Sequence, residues 1–193
     1  KLEQKCSPVS VKEGEEIGIR LLHELRQSDN GIGLAANQIG INKRVCVINV
    51  KEPLVLINPK IVETSEETFV FPEGCLSFPN KHIRTTRFVE VTVEADNHKG
   101  RLSFSADSSE INDAFECACV QHEIDHLDGV TMFDREWKQE PIKVEKKIGR
   151  NDKVLIACGT ESKVVKYKKA RGSMWCIIRV SNYCYIFNSI IVV

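Results

Sequence analysis

Between residues 13 and 28 the apolar side chains Ile17, Leu21, Leu22 and Leu25 recur at three- and four-residue steps. That period predicts an amphipathic helix, which Asp29-Asn30-Gly31 ends. From Arg44 to Val50 the chain alternates and is rich in β-branched residues, which predicts a strand. Leu54 to Asn58 predicts a second strand, stopped by Pro59. Ile61-Val62 and Thr68 to Phe71 are short strand candidates. Phe88 to Glu94 alternates cleanly, Asn97-His98-Lys99-Gly100 reads as a turn, and Arg101 to Ser105 returns as the second arm of a hairpin. Phe115, Cys119, His122 and His126 then fall on one helical stripe. They predict a helix over 112–128, with Asn112 as its N-cap and Gly129 as its stop. A helix, several antiparallel strands and a second helix predict an α+β fold.

The second helix carries the first chemical signal. Gln121-His122-Glu123-Ile124-Asp125-His126 contains His-Glu-x-x-His. Residues four apart share a helical face, so His122 and His126 can hold one metal ion. Glu123 can reach a water on that ion. A catalytic site of this type has a third protein ligand. The longer protease pattern would place it at Met132, a poor ligand for such a cation. Glu140 and Glu145 are available downstream, in a Lys-rich run. Upstream, Pro72-Glu73-Gly74-Cys75-Leu76-Ser77-Phe78-Pro79 is too punctuated by Gly and Pro for a plain strand, and offers Cys75. One thiolate with two imidazoles suits zinc or ferrous iron. Gly31-Ile32-Gly33-Leu34-Ala35-Ala36-Asn37-Gln38 permits close backbone approach, and no Gly-Lys-Ser/Thr follows it, so it is not a phosphate loop.

The bulk composition narrows the partners. The chain has 193 residues, 28% of them charged, and zero formal net charge, which gives no electrostatic argument for nucleic acid or a membrane. Its 8 cysteines are scattered without a secreted-type framework, so reduced thiols are expected, with Cys46, Cys117 and Cys119 in the core. Lys1 to Lys12 is polar and charged, and no long apolar run follows. The expected location is the cytoplasm. The start on Lys1 reads as trimmed, which leaves an organelle open.

Three stretches, Gly31 to Gln38, Glu73-Gly74-Cys75-Leu76-Ser77 and Gln121 to Leu127, resemble in order and separation the signature motifs of peptide deformylases. Leu56-Ile57-Asn58-Pro59 adds to the resemblance, which covers roughly residues 5–140. It implies antiparallel strands packed around a central metal-binding helix carrying His-Glu-x-x-His. It implies removal of the formyl group from N-formylmethionyl nascent chains, at the ribosome, with release of formate. By position, Cys75, His122 and His126 would be metal ligands and Glu123 the acid/base. Gln38 and the Leu76 N–H would face the formyl oxygen, and Ile32 and Gly33 would line the substrate cleft. The implied metal is Fe²⁺, with Zn²⁺, Ni²⁺ or Co²⁺ able to replace it. Ala114 stands where relatives commonly have Gly, and His82 where many have Arg.

A deformylase-like domain over 1–145 and an extension over 146–193 are therefore expected. The extension faintly resembles a small zinc-binding module of the SEC-C type, without its clustered cysteines. Residues 174–193 read either as a strand pair packing on the core or as a poorly ordered, sticky end. Two other functions remain in view: a zinc endopeptidase using a downstream Glu, and an inactive metal-binding relative.

Overall fold

The computed structural model describes residues 2–28 and 31–138, with strands at 153–158, 161–166, 176–180 and 183–187. The chain divides into two compact units, Lys1–Trp137 and Lys138–Val193.

The first unit begins with α1, Val11–Arg26. It starts earlier than its apolar stripe because Ser10 caps it: the Ser10 hydroxyl accepts from the Glu13 N–H at 3.3 Å. Next come β1 (Gly33–Ala35), a single 3-10 turn (Ala36–Ile39), β2 (Val45–Ile48) and β3 (Leu54–Ile57). These strands form an antiparallel sheet in the order β1-β2-β3. β2 alternates between two cores. Val45 and Val47 join Ile17, Leu21 and Leu25 of α1, while Cys46 and Ile48 join the core on the other face. Both faces of the strand are apolar and buried.

Asn58 follows β3 in a left-handed conformation, φ 51°. Its side chain accepts from the Val9 N–H at 3.0 Å and donates to the Val9 carbonyl at 2.7 Å, tying down the N-terminal segment. β4 (Lys60–Thr64), β7 (Glu90–Glu94) and β8 (Leu102–Ser105) make a second sheet in the order β4-β7-β8. Between β4 and β7 lies a long hairpin of β5 (Thr68–Cys75) and β6 (Phe78–Phe88). This corrects the sequence reading in two ways. The stretch around Pro72 and Gly74 is strand after all, and β6 had not been expected. Pro72 is tolerated because a two-stranded hairpin has only edge strands.

α2 spans Ile111–Leu127. Its N-cap position is Glu110, whose side chain makes no cap bond, so Asn112 lies inside the helix rather than capping it. Gly129, φ 76°, follows the helix end. A Cβ there would lie 2.7 Å from the Glu3 carbonyl oxygen, so chain packing as well as φ calls for glycine. Every residue from Cys117 to Leu127 is buried. Met132 is also buried, at 1% exposure, in a 3-10 turn over Met132–Arg135.

The second unit contains two antiparallel hairpins, β9 (Lys153–Cys158) with β10 (Glu161–Lys166) and β11 (Cys176–Val180) with β12 (Tyr183–Phe187). The apolar end of the chain thus includes a strand pair. Glu140 and Glu145 lie outside the described residues.

Leu21 is fully buried between α1 and the first sheet. Leu21→Ala is expected to cost about 2–5 kcal/mol through lost transfer energy and the cavity left behind. Urea unfolding would measure this, and a change under about 0.5 kcal/mol, typical of exposed sites, would contradict the packing described.

Candidate metal centre and its cleft

β5 and β6 meet at Leu76-Ser77, where the ladder shifts register between Gly74 and Cys75. Cys75 Sγ lies 3.3 Å from His126 Nε2, and that nitrogen lies 3.1 Å from His122 Nε2. The donor atoms of Cys75, His122 and His126 all lie within 4.8 Å of one another. The hairpin thus supplies the thiol and one face of α2 supplies both imidazoles.

The surroundings shift the two imidazoles in opposite directions. Burial disfavours charge on His122, but the hydrogen bonds it donates to Cys75 and Glu73 outweigh it and raise the group to about 10. For His126, burial and then the neighbouring His122 lower the group to about 3. Without an ion, the pair therefore holds one proton rather than two or none. A thiol that can ionise and two imidazoles are the donor types that zinc or ferrous iron prefers. Among the described residues, this is the group of side chains that could hold a metal ion.

Behind His122 stands a buried ionic chain. His122 Nδ1 is 2.8 Å from Glu73 Oε2. Arg87 donates to both oxygens of Glu73, at 2.6 and 2.8 Å, and Thr85 donates to Oε1 at 2.7 Å. Arg87 also donates to Asp125 at 2.6 Å, and Arg135 donates to the same carboxylate at 3.0 and 2.7 Å. Burial pushes the Glu73 carboxyl up, but the bonds from Arg87 and His122 more than offset it and hold the group at about 2. Sequence reasoning gave no role to Glu73, Arg87 or Asp125. The available signal was a charged residue at an inward position: Asp125 between two ligand candidates, and Glu73 two residues before Cys75.

Glu123 faces the Gly-rich stretch. A Cβ on Gly33 would lie 2.5 Å from Glu123 Oε1 and 2.6 Å from Cys119 Sγ, so only glycine lets β1 run this close to α2. Burial pushes the Glu123 carboxyl up to about 7, and its Oε2 has no hydrogen-bond partner. Gln38 sits on the 3-10 turn after β1. Its Oε1 accepts from the Ala35 N–H at 2.7 Å, and its Nε2 lies 3.1 Å from Ser77 Oγ and 3.7 Å from Cys75 Sγ. The amide N–H₂ is thereby turned toward Cys75.

A cleft of about 480 Å³ opens over these groups, lined by Ile32, Gly33, Gln38, Cys75, Leu76, His122 and Glu123. Phe71, Phe115 and Ala118 add an apolar side, with the two rings edge to face at 5.1 Å. His82 is on the rim, across the ladder from Gly74. Cys119 also lines the cleft, but burial raises its thiol well above the ordinary value, which keeps it neutral. Ile32, Gly33, Gln38, Cys75, Leu76, His122 and Glu123 thus all line one cleft, and His126 lies against Cys75 and His122. The five cysteines with described side chains are free, and Met132 lies apart in the core.

A family model described as polypeptide deformylase matches residues 1–141. The chain belongs to the polypeptide deformylase family. It is 44% identical over 110 residues to a peptide deformylase of Rhizobium meliloti, an alignment covering 54% of this chain and 60% of that one. The chain therefore spans about three-fifths of that relative's length. A peptide deformylase of Hamiltonella defensa is 36% identical over 160 residues, covering 80% of this chain and 90% of the relative. The structure is similar to that of a peptide deformylase from Synechococcus elongatus in complex with actinonin, with TM-score 0.62 and 36% identity over 72% of this chain and 74% of that one. Deformylases are metal-dependent, which agrees with the donor set found here. Among the described residues, no helix of this deformylase-family chain is long and apolar enough to cross a membrane.

Glu73 yields a pH prediction. Its folded value, about 2, lies below its ordinary 4.5. The carboxylate therefore contributes stability that is fully present above pH 4.5 and is lost as pH falls toward 2. Unfolding of metal-free protein should show this loss, and Glu73→Gln should flatten the profile in that window. Parallel profiles for the two proteins would contradict the assignment.

Proposed function

We propose that this chain is a peptide deformylase, hydrolysing the formyl group of N-formylmethionyl nascent polypeptides to formate and a free amine. The observation that carries this reading is the convergence of Cys75, His122 and His126 within 4.8 Å, with the buried Glu123 beside them in one cleft. In this reading α2 is the central metal-binding helix, and the antiparallel strands pack around it.

A divalent ion held by Cys75, His122 and His126 would supply Lewis acidity, lowering the pKa of a water it binds and polarising the formyl carbonyl. Iron in its ferrous state is the physiological choice in this reading, with zinc, nickel or cobalt as replacements. Glu123 Oε2 takes the proton of the attacking water and later gives it to the leaving amine. A carboxyl raised to about 7 is suited to both roles near neutral pH. The Gln38 N–H₂ and the Leu76 N–H donate to the formyl oxygen as negative charge develops on it. β1 is an edge strand of its sheet, so Ile32 and Gly33 can pair with the peptide backbone. The Gly-rich stretch keeps one wall of the cleft close to Glu123, and in this reading that tightness is what favours formyl over bulkier acyl groups. The apolar side of the cleft, with Phe71 and Phe115, receives the methionine side chain.

The substrate is met as it leaves the ribosome, in the cytoplasm. Residues 146–193 stand outside the catalytic domain of 1–145. Cys75 takes the ligand position that an endopeptidase would fill with a downstream Glu, and an intact Glu123 argues against an inactive relative.

Formate release from a formyl-Met peptide, without internal cleavage, tests the reading directly. Glu123→Gln should keep one metal per chain and lose about 10²–10⁴ in rate, the usual size of an acid/base contribution. Near-normal turnover by that metal-loaded variant would sink the mechanism.

Removal of residues 146–193 should leave kcat/KM within a few-fold of the full chain. A loss of about 10³, the size expected when a direct transition-state contact is removed, would show that the extension completes the site.

A further inference from the structure

The two imidazoles of the proposed centre are supported unequally. His122 and His126 turn their Nε2 atoms toward each other, and His126 Nε2 also meets Cys75. With Nε2 given to the ion, each Nδ1 carries the proton and must donate it. His122 donates to Glu73. His126 Nδ1 is buried and has no partner in the protein. Ligating histidines almost always bond through their second nitrogen, because that bond fixes both tautomer and ring orientation.

Asn37 lies against the same residue. Its Nδ2 donates to the His126 carbonyl at 2.7 Å. That contact fixes which way the amide points, since the opposite orientation would set two oxygens against each other. Asn37 Oδ1 is therefore an acceptor, and it too is buried and has no partner. Asn37 is 6% exposed and His126 1% exposed. A lone buried donor and a lone buried acceptor thus sit on two residues already joined by a hydrogen bond.

We infer that Asn37 Oδ1 is the acceptor for His126 Nδ1–H, directly or through one bridging water, and that Asn37 is a positioning residue for the second imidazole. This rests on the metal site proposed above. The bond holds His126 in the Nδ1–H tautomer and leaves the Nε2 lone pair free for the ion. It also gives the two ligands different partners, a carboxylate behind His122 and a neutral amide behind His126. One short 3-10 turn then performs two tasks: Gln38 turns into the cleft, and the adjacent Asn37 steadies α2 from behind.

The test measures Zn²⁺ affinity by competition with a chromophoric chelator, alongside the stability of the metal-free protein. Asn37→Leu removes the acceptor and should weaken zinc binding by about 10–100-fold, the usual effect of losing such a partner. Asn37→Asp, whose buried carboxyl when protonated can donate to the His126 carbonyl in place of Nδ2 and still present its other oxygen as an acceptor, should recover most of that loss. The visible spectrum of the Co²⁺ form should shift in Asn37→Leu and not in Asn37→Asp. Wild-type zinc affinity in Asn37→Leu, or an equal loss in both variants, would overturn the assignment. Should Asn37→Leu fail to fold, a long-range ¹H–¹⁵N spectrum of zinc-loaded wild type decides. A slowly exchanging Nδ1 proton on His126 supports the bond, and a rapidly exchanging one overturns it. A wild-type chain that takes up no zinc would instead overturn the metal site itself.

Discussion

Arg87 reaches from β6 to Glu73 on the neighbouring strand and to Asp125 on α2, with all three side chains buried. Removing the guanidinium would leave Glu73 a buried carboxylate without its main partner, and a lone buried guanidinium would be as unfavourable. The fork geometry of Arg lets one side chain bridge both acids, which a Lys could not do in the same way. The arrangement locks the hairpin that carries Cys75 to the helix that carries both imidazoles. Glu73 then spends its remaining bonding capacity on His122. The position of the donor set thus depends on charge compensation several ångströms behind it.

Much of this was legible in the chain. α1 and the hairpin β7–β8 show their periods plainly, and His-Glu-x-x-His fixes two donors by helical spacing alone. Cys75 could be named because few residue types complete such a set. The hairpin β5–β6 was not legible, for a physical reason. Pro72, Gly74 and Pro79 are turn signals in isolation, yet edge strands tolerate them. Arg87 and Thr85 occupy inward positions of β6 where a period-two reading expects apolar residues. Their burial makes sense only once Glu73 and Asp125 are known to face them. A local pattern cannot report partners contributed by distant parts of the chain.

The boundaries show the same division between local and non-local causes. Ser10 extends α1 beyond its apolar stripe through a local bond, visible in principle to a closer reading. α2 begins without a side-chain cap. Its stability comes instead from contacts around its later turns, supplied by three sheets and a loop. Asn37 is an instance of the same kind: as one letter in a Gly- and Ala-rich stretch it carries no chemistry, and its bond to the helix spans 89 positions of sequence.

The uninterrupted burial of α2 from Cys117 to Leu127 also bears on how this fold can drift over time. A helix with one free face can absorb an inserted or deleted residue by rotating that face. Here every direction is already assigned: the two imidazoles on one side, Asp125 and its arginines on another, apolar packing on the rest. A single-residue change of length would turn everything beyond it by about 100°. No compensating substitution at one position could restore all faces at once. A change of length along this helix therefore costs what a change of length in a surface loop does not.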